Sequence, residues 1–458
     1  MNETNYRPAF HFSPEKNWMN DPNGLCYLDG EYHLFYQHHP ESRIWGPMHW
    51  GHAVSRDLLH WEHLPIALYP DENGMIFSGS VVVDDDNTTG LQEGEQKVMV
   101  ALFTYHKEGH ETQGVAFSTD KGRTWEKHQS NPVIRNPGLE DFRDPKVTRF
   151  KNHWVMSLAC GDHIQFYRSE NLLEWTYLSS FGQEYGAHGG VWECPDLIRF
   201  DDKWVLIVSI NPGGPNGGSA IQYFTGEFDG ERFNCDQPQD EIKWADYGRD
   251  FYAAVTWSGT EEPLWIGWMN NWEYANEVPT QPFRGTMSIP RVLSLKKGRL
   301  IQKPISLSPI QNENLTKDVQ LQPGHSETLT SSKQISLIAL LKNDASAFTL
   351  TVGGDDGKVD IRFDSEEQVV QMDRTKSSET TFSKVFPSVD SMTVESIEEI
   401  QLIIDEGSIE LFLNGGAHAM SEIAYIKGDE LTITLHAASD VVELEMGLID
   451  TQKAISEI

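Results

Sequence analysis

The chain has 458 residues, of which 69 are acidic and 36 are basic, giving a formal net charge of −33 at pH 7. This length allows two domains with sizeable cores, so a wholly disordered chain is excluded. So large an excess of negative charge repels phosphate backbones and anionic lipid surfaces, which argues against nucleic acid and membranes as partners.

The four cysteines, Cys26, Cys160, Cys194 and Cys235, are widely spaced and include no Cys-x-x-Cys pair. We interpret them as reduced, mostly buried thiols rather than zinc ligands or a disulfide framework. No stretch approaches the roughly 18 apolar residues of a membrane span, and the N-terminus lacks the basic start and apolar run of a signal peptide. We therefore expect a soluble protein, cytoplasmic if the sequence is complete and secreted if a signal peptide has been removed.

Three hairpins along the chain share one pattern, an aspartate next to a proline followed by a strand, a tight turn and a second strand. They begin at Asp21-Pro22, Asp144-Pro145 and Pro195-Asp196. A second element, a serine-led turn that ends in a tryptophan, recurs at 55–61, 118–125 and 169–175. Such internal similarity is the signature of a repeat architecture.

Two further units complete the series, one at 77–83 with 98–103 and one at 252–295. Short alternating runs broken by glycine-containing turns indicate β-structure throughout. Five sheets of about four strands predict an all-β fold with a five-bladed β-propeller over residues 1–305, whose innermost strands converge on a central funnel.

The composition changes after about residue 300. Residues 306–330 are rich in Pro, Asn, Gln and Ser and are predicted to be a linker. Runs such as 335–341, 348–352, 400–404 and 409–413 have the length and spacing of strands in a sandwich. We therefore predict a C-terminal β-sandwich over residues 331–458, with a supporting rather than a chemical role.

Three acids at the starts of innermost strands, in equivalent positions of the repeat, are the candidates for chemistry: Asp21, Asp144 and Glu193. Cleavage of a glycosidic bond requires two carboxyl groups, one ionised to attack the anomeric carbon and one protonated to donate to the leaving oxygen. Any one of these acids could instead be a turn former or a backbone cap. Their occurrence together at the mouth of one funnel favours the catalytic interpretation.

Three segments resemble the signature motifs of the β-fructofuranosidase family, glycoside hydrolase family 32, which contains invertases, inulinases and levanases. These are Trp-Met-Asn-Asp-Pro-Asn-Gly at 18–24, Phe-Arg-Asp-Pro at 142–145 and Trp-Glu-Cys-Pro-Asp at 192–196. The resemblance extends over residues 7–305, including the segment 246–254, and, more weakly, into the C-terminal domain. It implies a propeller hydrolase that needs no metal and no cofactor.

The resemblance implies a role for each matching position. Asp21 would be the nucleophile that forms a fructosyl-enzyme intermediate, and Glu193 the acid and then the base. Asp144 would bind fructose hydroxyls and stabilise the transition state, with Arg143 beside it. The positions that match the lining of the fructose subsite are Asn20, Gln37, Trp45, Phe77 and Ser78.

A general acid at neutral pH needs surroundings that favour its protonated form, because a free glutamate is then almost fully ionised. We expect Trp192 and Cys194 to supply weakly polar surroundings for Glu193, and the charges of Asp21 and Asp144 to oppose its ionisation. Retention at the anomeric carbon would place the carboxyls of Asp21 and Glu193 about 5 to 5.5 Å apart.

Six histidines between residues 38 and 63 could suggest a metal site, but they lack ligand spacing on a helix, so packing or substrate hydrogen bonding is preferred. They are His38, His39, His49, His52, His60 and His63. Among Trp265, Trp268 and Trp272, at least one should be core, and Trp272, at the more polar end, is predicted to face the sugar.

The sequence thus predicts a retaining, exo-acting β-fructosidase that releases fructose from levan, inulin or sucrose, with a fructose-containing oligo- or polysaccharide as partner. The segment 271–280 resembles the fructan-degrading members of the family, levanases and inulinases, more than the sucrose-restricted ones, and the chain as a whole resembles bacterial levanase-type enzymes. Linkage preference and oligomeric state stay open.

Four rival functions are compatible with parts of the same pattern. A fructosyltransferase or an endo-acting levanase would use the same three acids. A non-catalytic fructan-binding protein is disfavoured because all three acids are present. An arabinanase-type propeller hydrolase would share the fold, but the motif at 18–24 argues against it.

Overall fold

The computed structural model describes residues 6–310, 313–343, 345 and 347–450. Residues 1–5, which carry part of the signal-peptide expectation, and 451–458, the end of the predicted second domain, lie outside the described residues. Within the described ranges, no helix is long and apolar enough to cross a bilayer. The same ranges consist of strands and turns with one short 3-10 helix at Ser308–Ile310, which confirms the all-β prediction.

The described residues before 305 form five sheets in sequence order. The first contains β1 (Asn17–Leu28), β2 (Glu31–His39), β3 (His49–Ser55) and β4 (Trp61–Leu68). The second contains β5 (Met75–Asp84), β6 (Val98–Lys107), β7 (His110–Ser118) and β8 (Glu126–Lys127). The third contains β9 (Arg143–Phe150), β10 (His153–Ala159), β11 (Ile164–Ser169) and β12 (Thr176–Phe181).

The fourth sheet contains β13 (Val191–Phe200), β14 (Lys203–Asn211), β15 (Ala220–Phe228), β16 (Phe233–Cys235) and β17 (Lys243–Trp244). The fifth begins with β18 (Tyr252–Thr256) and β19 (Leu264–Trp268). The next strand, β20 (Phe283–Arg284), leaves this sheet and pairs in parallel with β1. The fifth sheet is completed by β21 (Arg291–Lys296) and β22 (Arg299–Pro304).

The five sheets close into a ring around a central funnel. Their first strands, β1, β5, β9, β13 and β18, contact one another in this order, and β18 returns to β1. Each sheet is therefore one blade of a propeller, numbered 1 to 5 from the N-terminus. This arrangement brings the starts of five innermost strands, which are far apart in sequence, to one mouth of the funnel.

Each innermost strand carries an irregularity at the same place, where two of its residues oppose one residue of the next strand. The five residue pairs are 20–21, 77–78, 144–145, 194–195 and 253–254. A β-bulge of this kind bends the strand and redirects its side chains. Asp144 and Cys194 adopt left-handed backbone conformations there, with φ of 64° and 47°. The bulges of blades 1, 2 and 3 turn side chains towards the funnel mouth, whereas Ala253 and Ala254 of blade 5 pack in the core.

The serine-led turns in blades 1, 2 and 3 repeat one another at atomic detail. In each turn the tryptophan indole N–H donates to the carbonyl oxygen three residues earlier, and that earlier residue has a left-handed conformation. The pairs are Trp61 with Leu58, Trp125 with Gly122 and Trp175 with Leu172, at 3.1, 3.0 and 3.0 Å. The repeat predicted from the sequence is therefore present in the structure.

The second domain is a β-sandwich of two six-stranded sheets within the described residues, which confirms the predicted architecture. In chain order its strands are β23 (Glu313–Leu321), β24 (Ser326–Ser332), β25 (Gln334–Leu341), β26 (Ala347–Gly353), β27 (Lys358–Asp364), β28 (Val369–Asp373), β29 (Val389–Thr393), β30 (Glu399–Asp405), β31 (Ser408–Leu413), β32 (His418–Ile423), β33 (Leu431–Ala437) and β34 (Val442–Asp450). The sheet orders are β23-β34-β25-β30-β31-β32 and β24-β33-β26-β27-β28-β29.

The segment 306–330, predicted as a linker, differs from that expectation because it contains β23 and most of β24. Each of these strands lies at the edge of one sheet, beside β34 and β33 respectively. An edge strand leaves one side of its backbone unpaired and tolerates a polar composition, which explains why the sequence resembled a linker.

Buried ion pairs join the sandwich to the propeller. Arg291 of β21 lies fully buried between Asp246, at 2.9 Å, and Glu410 of β31, at 2.6 Å. The carboxylate of Asp405 accepts three consecutive backbone N–H groups, those of residues 9, 10 and 11, at 2.7 to 3.0 Å. The His11 imidazole bridges Asp405 and Glu410, at 2.9 and 2.7 Å. The chain that enters the propeller is therefore held by the last third of the sequence.

The interface makes stability depend on pH. Burial by itself would lower the pKa of His11, but the hydrogen bonds to Asp405 and Glu410 raise that pKa to about 9. The unfolded value is near 6.5. The stabilisation is therefore complete below about pH 6.5 and is lost as the pH rises towards 9, by at most about 3 kcal/mol.

We expect the urea midpoint of the protein to fall between pH 6.5 and pH 9, because in that range the histidine of the unfolded chain loses its proton while the folded protein still holds it. His11→Gln should be less stable at pH 6.5 and should lose most of this pH dependence. Denaturation curves of both proteins, followed by tryptophan fluorescence, measure the effect. An unchanged slope in His11→Gln would assign the pH dependence to other groups.

Candidate active site

A cavity of about 510 Å³ lies at the funnel mouth formed by the bulged ends of the innermost strands. All ten residues predicted as catalytic or substrate-binding line this single cavity. They are Asn20, Asp21, Gln37, Trp45, Phe77, Ser78, Arg143, Asp144, Glu193 and Trp272. Blades 1 to 4 supply nine of them, and the connection after β19 supplies Trp272.

Asp21 lies in the bulge of β1 and is held by neutral hydrogen-bond donors. The Ser78 hydroxyl donates to its Oδ2 at 2.7 Å, and the Asn20 side-chain amide donates to its Oδ1 at 3.0 Å. Burial raises the pKa of Asp21 to about 6, and the charge of Glu193 contributes in the same direction, while the two donors oppose the rise. The carboxylate is fixed in position but is only partly compensated.

Glu193, one residue before the bulge of β13, has a different set of partners. Nε and Nη2 of Arg143 donate to its Oε1, both at 3.2 Å. The Tyr252 hydroxyl donates to Oε2. The two oxygens of this carboxyl thus face a guanidinium and a phenol, and its side chain stays partly open to the cavity.

The surroundings of Glu193 differ from those expected from its neighbours in sequence. Trp192 is buried on the other side of the strand, where its ring stacks on His188 and its N–H donates to the carbonyl of Ala187. Successive side chains of a strand point to opposite faces, which accounts for this placement. Cys194 directs its thiol at the carboxylates of Asp21 and Asp144, at 3.7 and 3.5 Å.

Asp144 is the most enclosed of the three acids. Its Oδ2 accepts the backbone N–H of Cys194 at 2.9 Å, and its own N–H donates to the Thr104 hydroxyl at 3.0 Å. Burial raises the pKa of Asp144, neighbouring Arg143 opposes this rise, and the charges of Glu193 and Asp21 add to it. The left-handed backbone at Asp144 is therefore held by hydrogen bonds from two neighbouring blades.

The sequence did not single out two groups that hold Arg143 and Glu193. Glu111 of β7 is buried, accepts the N–H of Phe142 at 2.7 Å and lies 3.2 Å from Nη1 of Arg143. Tyr252 starts β18 and bonds Glu193 from blade 5. Tyr252 falls in a segment, 246–254, that contributed to the family resemblance, whereas no motif surrounds Glu111.

Aromatic side chains form the walls of the cavity. Trp272 is half-buried and lies between Trp18 and Trp268, with ring centroids 5.9 and 4.9 Å away. Trp265 and Trp268 are fully buried in the core. Trp45 lies opposite at the rim, with its ring 6.3 Å from that of Phe77. The histidine of this wall is His106, which stacks on Phe77 at 4.4 Å.

Several of the six clustered histidines bond to backbone oxygens. His38 pairs with the carbonyl of Trp18 at 2.7 Å, His39 with that of Ile44 at 2.8 Å and His49 with that of Pro47 at 2.9 Å. These contacts fix the loop between β2 and β3 at the rim of the cavity.

The charge of the cavity selects its ligands. Carboxylates outnumber cations along its lining, since Glu140 and Asp141 accompany the acids already described and Arg143 is the one guanidinium among the lining residues. An anionic ligand would be repelled, whereas a neutral polyol could use the carboxylates as hydrogen-bond acceptors and the aromatic walls for packing. Two carboxyls with different partners are also what acid-assisted displacement at an anomeric carbon requires.

Comparisons with known proteins agree with this chemistry. Residues 11–304 match the model of the glycosyl hydrolases family 32 N-terminal domain, and residues 303–447 match that of the family's C-terminal domain. A levanase of Bacillus subtilis (strain 168) is 45% identical, over 99% of this chain and 71% of the levanase. An extracellular exo-inulinase of Aspergillus awamori is 36% identical, over 96% of this chain and 93% of the inulinase.

Solved structures show the same relationship. The crystal structure of exo-inulinase from Aspergillus awamori superposes with a TM-score of 0.91 at 33% identity, covering 98% of this chain and 99% of the inulinase. A fructofuranosidase from Schwanniomyces occidentalis complexed with fructose gives a TM-score of 0.89 at 32% identity, covering 98% and 99% of the two chains.

Proposed function

The chain belongs to glycosyl hydrolase family 32 and is a β-fructofuranosidase, and from this premise we propose how its own residues act and on which substrates. We propose that it is exo-acting and retaining, and that it releases terminal fructose from fructans of the levan and inulin type as well as from sucrose. The observation that carries the proposal is the pair Asp21 and Glu193, which line one cavity with unlike hydrogen-bond partners.

In the first half-reaction, Asp21 attacks the anomeric carbon of a terminal fructosyl unit while Glu193 protonates the departing oxygen. The carbon–oxygen bond to the leaving group breaks, and an ester between Asp21 and fructose forms. Ser78 and Asn20 hold the attacking carboxylate in place. Asp144 accepts hydrogen bonds from fructose hydroxyls as positive charge develops on the ring.

In the second half-reaction, Glu193 removes a proton from water, which attacks the ester and frees fructose and Asp21. Glu193 enters this step ionised, and the guanidinium of Arg143 holds one of its oxygens in place. The Tyr252 hydroxyl fixes the other oxygen of the same carboxyl. Arg143 and Tyr252 are therefore positioning residues for the group that must change its protonation state twice per turnover.

The exo-action rests on the shape of the cavity. Its inner end is lined by the buried side chains of Asn20, Gln37, Ser78 and Asp144, and Gln37 donates to Asn23 Oδ1 at 2.8 Å. A pocket of this kind accepts a chain end and leaves little room for an internal segment. Product profiles on levan, inulin and sucrose test this, since an endo-acting enzyme or a transferase would yield oligosaccharides in place of free fructose.

Asp21→Ala should lower kcat by at least about 1,000-fold on every fructoside, because no other group in the cavity is placed to form the intermediate. The matched control is Asp86→Ala, which removes an exposed carboxylate and should leave kcat unchanged. Steady-state release of fructose measures both, with thermal unfolding as the check on folding. Retention of a tenth of the activity by Asp21→Ala would contradict its role as nucleophile.

The loss of turnover caused by Glu193→Ala should depend on the leaving group of the substrate. The leaving groups of sucrose and fructans are alcohols, which need a proton as they depart. Turnover of these substrates by Glu193→Ala should therefore fall by about 100- to 10,000-fold. The leaving group of a nitrophenyl β-fructoside is nitrophenolate, a stable anion that needs no proton. The rate of the first half-reaction on this substrate should therefore fall much less. Pre-steady-state release of nitrophenol measures this step. Equal losses on both kinds of substrate would remove Glu193 from the acid role.

The fall of kcat/KM on the acidic side of the pH profile should reflect the protonation of Asp21. Because this carboxyl has a pKa of about 6 in the folded protein and attacks only when ionised, kcat/KM should fall as the pH drops through about 6. Ser78→Ala removes a donor that stabilises the ionised form, so the limb should move to higher pH. A limb that stays in place or moves to lower pH in Ser78→Ala would show that another group controls it.

A further inference from the structure

An exposed row of large side chains leads away from the pocket across the top of blade 1. Of nine large hydrophobic side chains that are exposed among the described residues, three lie here: Ile44, 58% exposed, Trp45, 37% exposed, and Tyr69, 55% exposed. Exposed apolar groups gathered on one face commonly mark a binding surface. We call Ile44, Trp45, His49 and Tyr69 the rim row.

The topology of blade 1 explains why the row starts at the active site. Its strands are antiparallel neighbours in the order β1, β2, β3, β4, so the start of β1, the end of β2, the start of β3 and the end of β4 lie on one face. Asp21 is near the start of β1, His49 starts β3, and Tyr69 follows the end of β4. The row therefore runs outward from the catalytic centre to the edge of the blade.

The loop between β2 and β3 links the members of the row. Trp45 lines the catalytic cavity and belongs to the same loop as Ile44. His49 ends that loop, and its ring meets the ring of Tyr69 edge-on, with centroids 5.5 Å apart. The surface therefore begins inside the pocket and ends on an open aromatic ring.

The loop that carries the row is held from two sides. His39 and His49, at the two ends of the loop, form hydrogen bonds with the carbonyls of Ile44 and Pro47. The backbone N–H of Trp45 donates to Oδ1 of Asn276 at 2.9 Å. Arg43 donates to the carbonyl of Thr280 at 2.8 Å. A platform fixed before the ligand arrives loses little conformational entropy on binding.

We infer that the rim row binds the fructosyl units on the leaving-group side of the scissile bond, so that this face favours polymeric fructans over sucrose. The inference rests on the proposed function and extends the site beyond the terminal unit. Sugar rings present apolar C–H faces that pack on aromatic rings, and a neutral polysaccharide avoids repulsion from the strongly acidic protein. Tyr69 follows β4, which lies three strand spacings, or roughly 14 Å, from β1. The single glucose that leaves from sucrose does not span this distance.

Tyr69→Ala tests the inference. On levan and inulin polymers we expect KM to rise about 3- to 10-fold with little change in kcat, as befits one aromatic contact, while both constants on sucrose stay within about 2-fold. Tyr69→Phe, which keeps the ring, should stay close to the wild type. The matched control is Tyr177→Ala, which removes a tyrosine of similar exposure, 50%, from β12 of blade 3. It should change the kinetics on neither substrate.

Direct binding provides the second measurement. In the Asp21→Ala background, migration through gels containing levan should be retarded, and adding Tyr69→Ala should reduce the retardation, whereas adding Tyr177→Ala should not. Ile44→Ala should shift both readouts in the same direction by a smaller amount. Unchanged polymer kinetics and retardation in Tyr69→Ala, or equal losses on polymer and sucrose, would overturn the inference. Failure of the wild type to release fructose from either substrate would instead overturn the proposed function.

Discussion

The active site is organised by a shortage of positive charge. Arg143 is the one guanidinium in a cavity whose lining includes six carboxylates, and it contacts Glu193, Glu111 and Asp141. Asp21 has no share in these contacts and depends on a hydroxyl and an amide. This unequal sharing separates the two catalytic carboxyls, because Glu193 lies against a cation whereas the charge of Asp21 is incompletely compensated, which suits Asp21 to attack. The rest of the propeller has to hold Arg143 in the position where it contacts Glu193 but not Asp21.

The five bulges provide that support. Each inserts an extra residue into an innermost strand, but the three acids occupy different places relative to the insertion. Asp144 is the first bulged residue of β9, Asp21 the second of β1, and Glu193 precedes the bulge of β13. The same kind of β-bulge thus orients the three carboxyl groups in three different directions. Asp196, which follows the bulge of β13, turns away and accepts the backbone N–H and hydroxyl of Thr256.

Sequence reasoning found the blades because they depend on local patterns, and the resemblance to a known family supplied the residues that line the cavity. The turns that end in Trp61, Trp125 and Trp175 repeat within short segments, and the acidic motifs precede recognisable strands. It could not supply the bulge register, which is set by hydrogen bonds to the next strand. For this reason the repeats predict that the three acids occupy equivalent positions in their strands. In the structure, the three acids lie at different positions relative to the bulges.

The groups that the sequence missed have partners distant in the chain. Glu111 meets Arg143, 32 residues away, and Tyr252 meets Glu193, 59 residues away. The predicted linker was wrong for the same reason, since β23 and β24 pair with β34 and β33 near the end of the chain. The polar composition of these edge strands carried no local sign of that pairing.

The capture of residues 9–11 by Asp405 has a consequence for how the protein is made. During synthesis the segment 9–11 and β1 emerge well before β20, which pairs with β1, and Asp405 and Glu410 emerge later still. Contacts this far apart in sequence form slowly. Residues 9–11 therefore lack their hydrogen-bond acceptor until residue 405 has been made, long after β20 has paired with β1, and an intermediate without these contacts is more prone to misfold and aggregate.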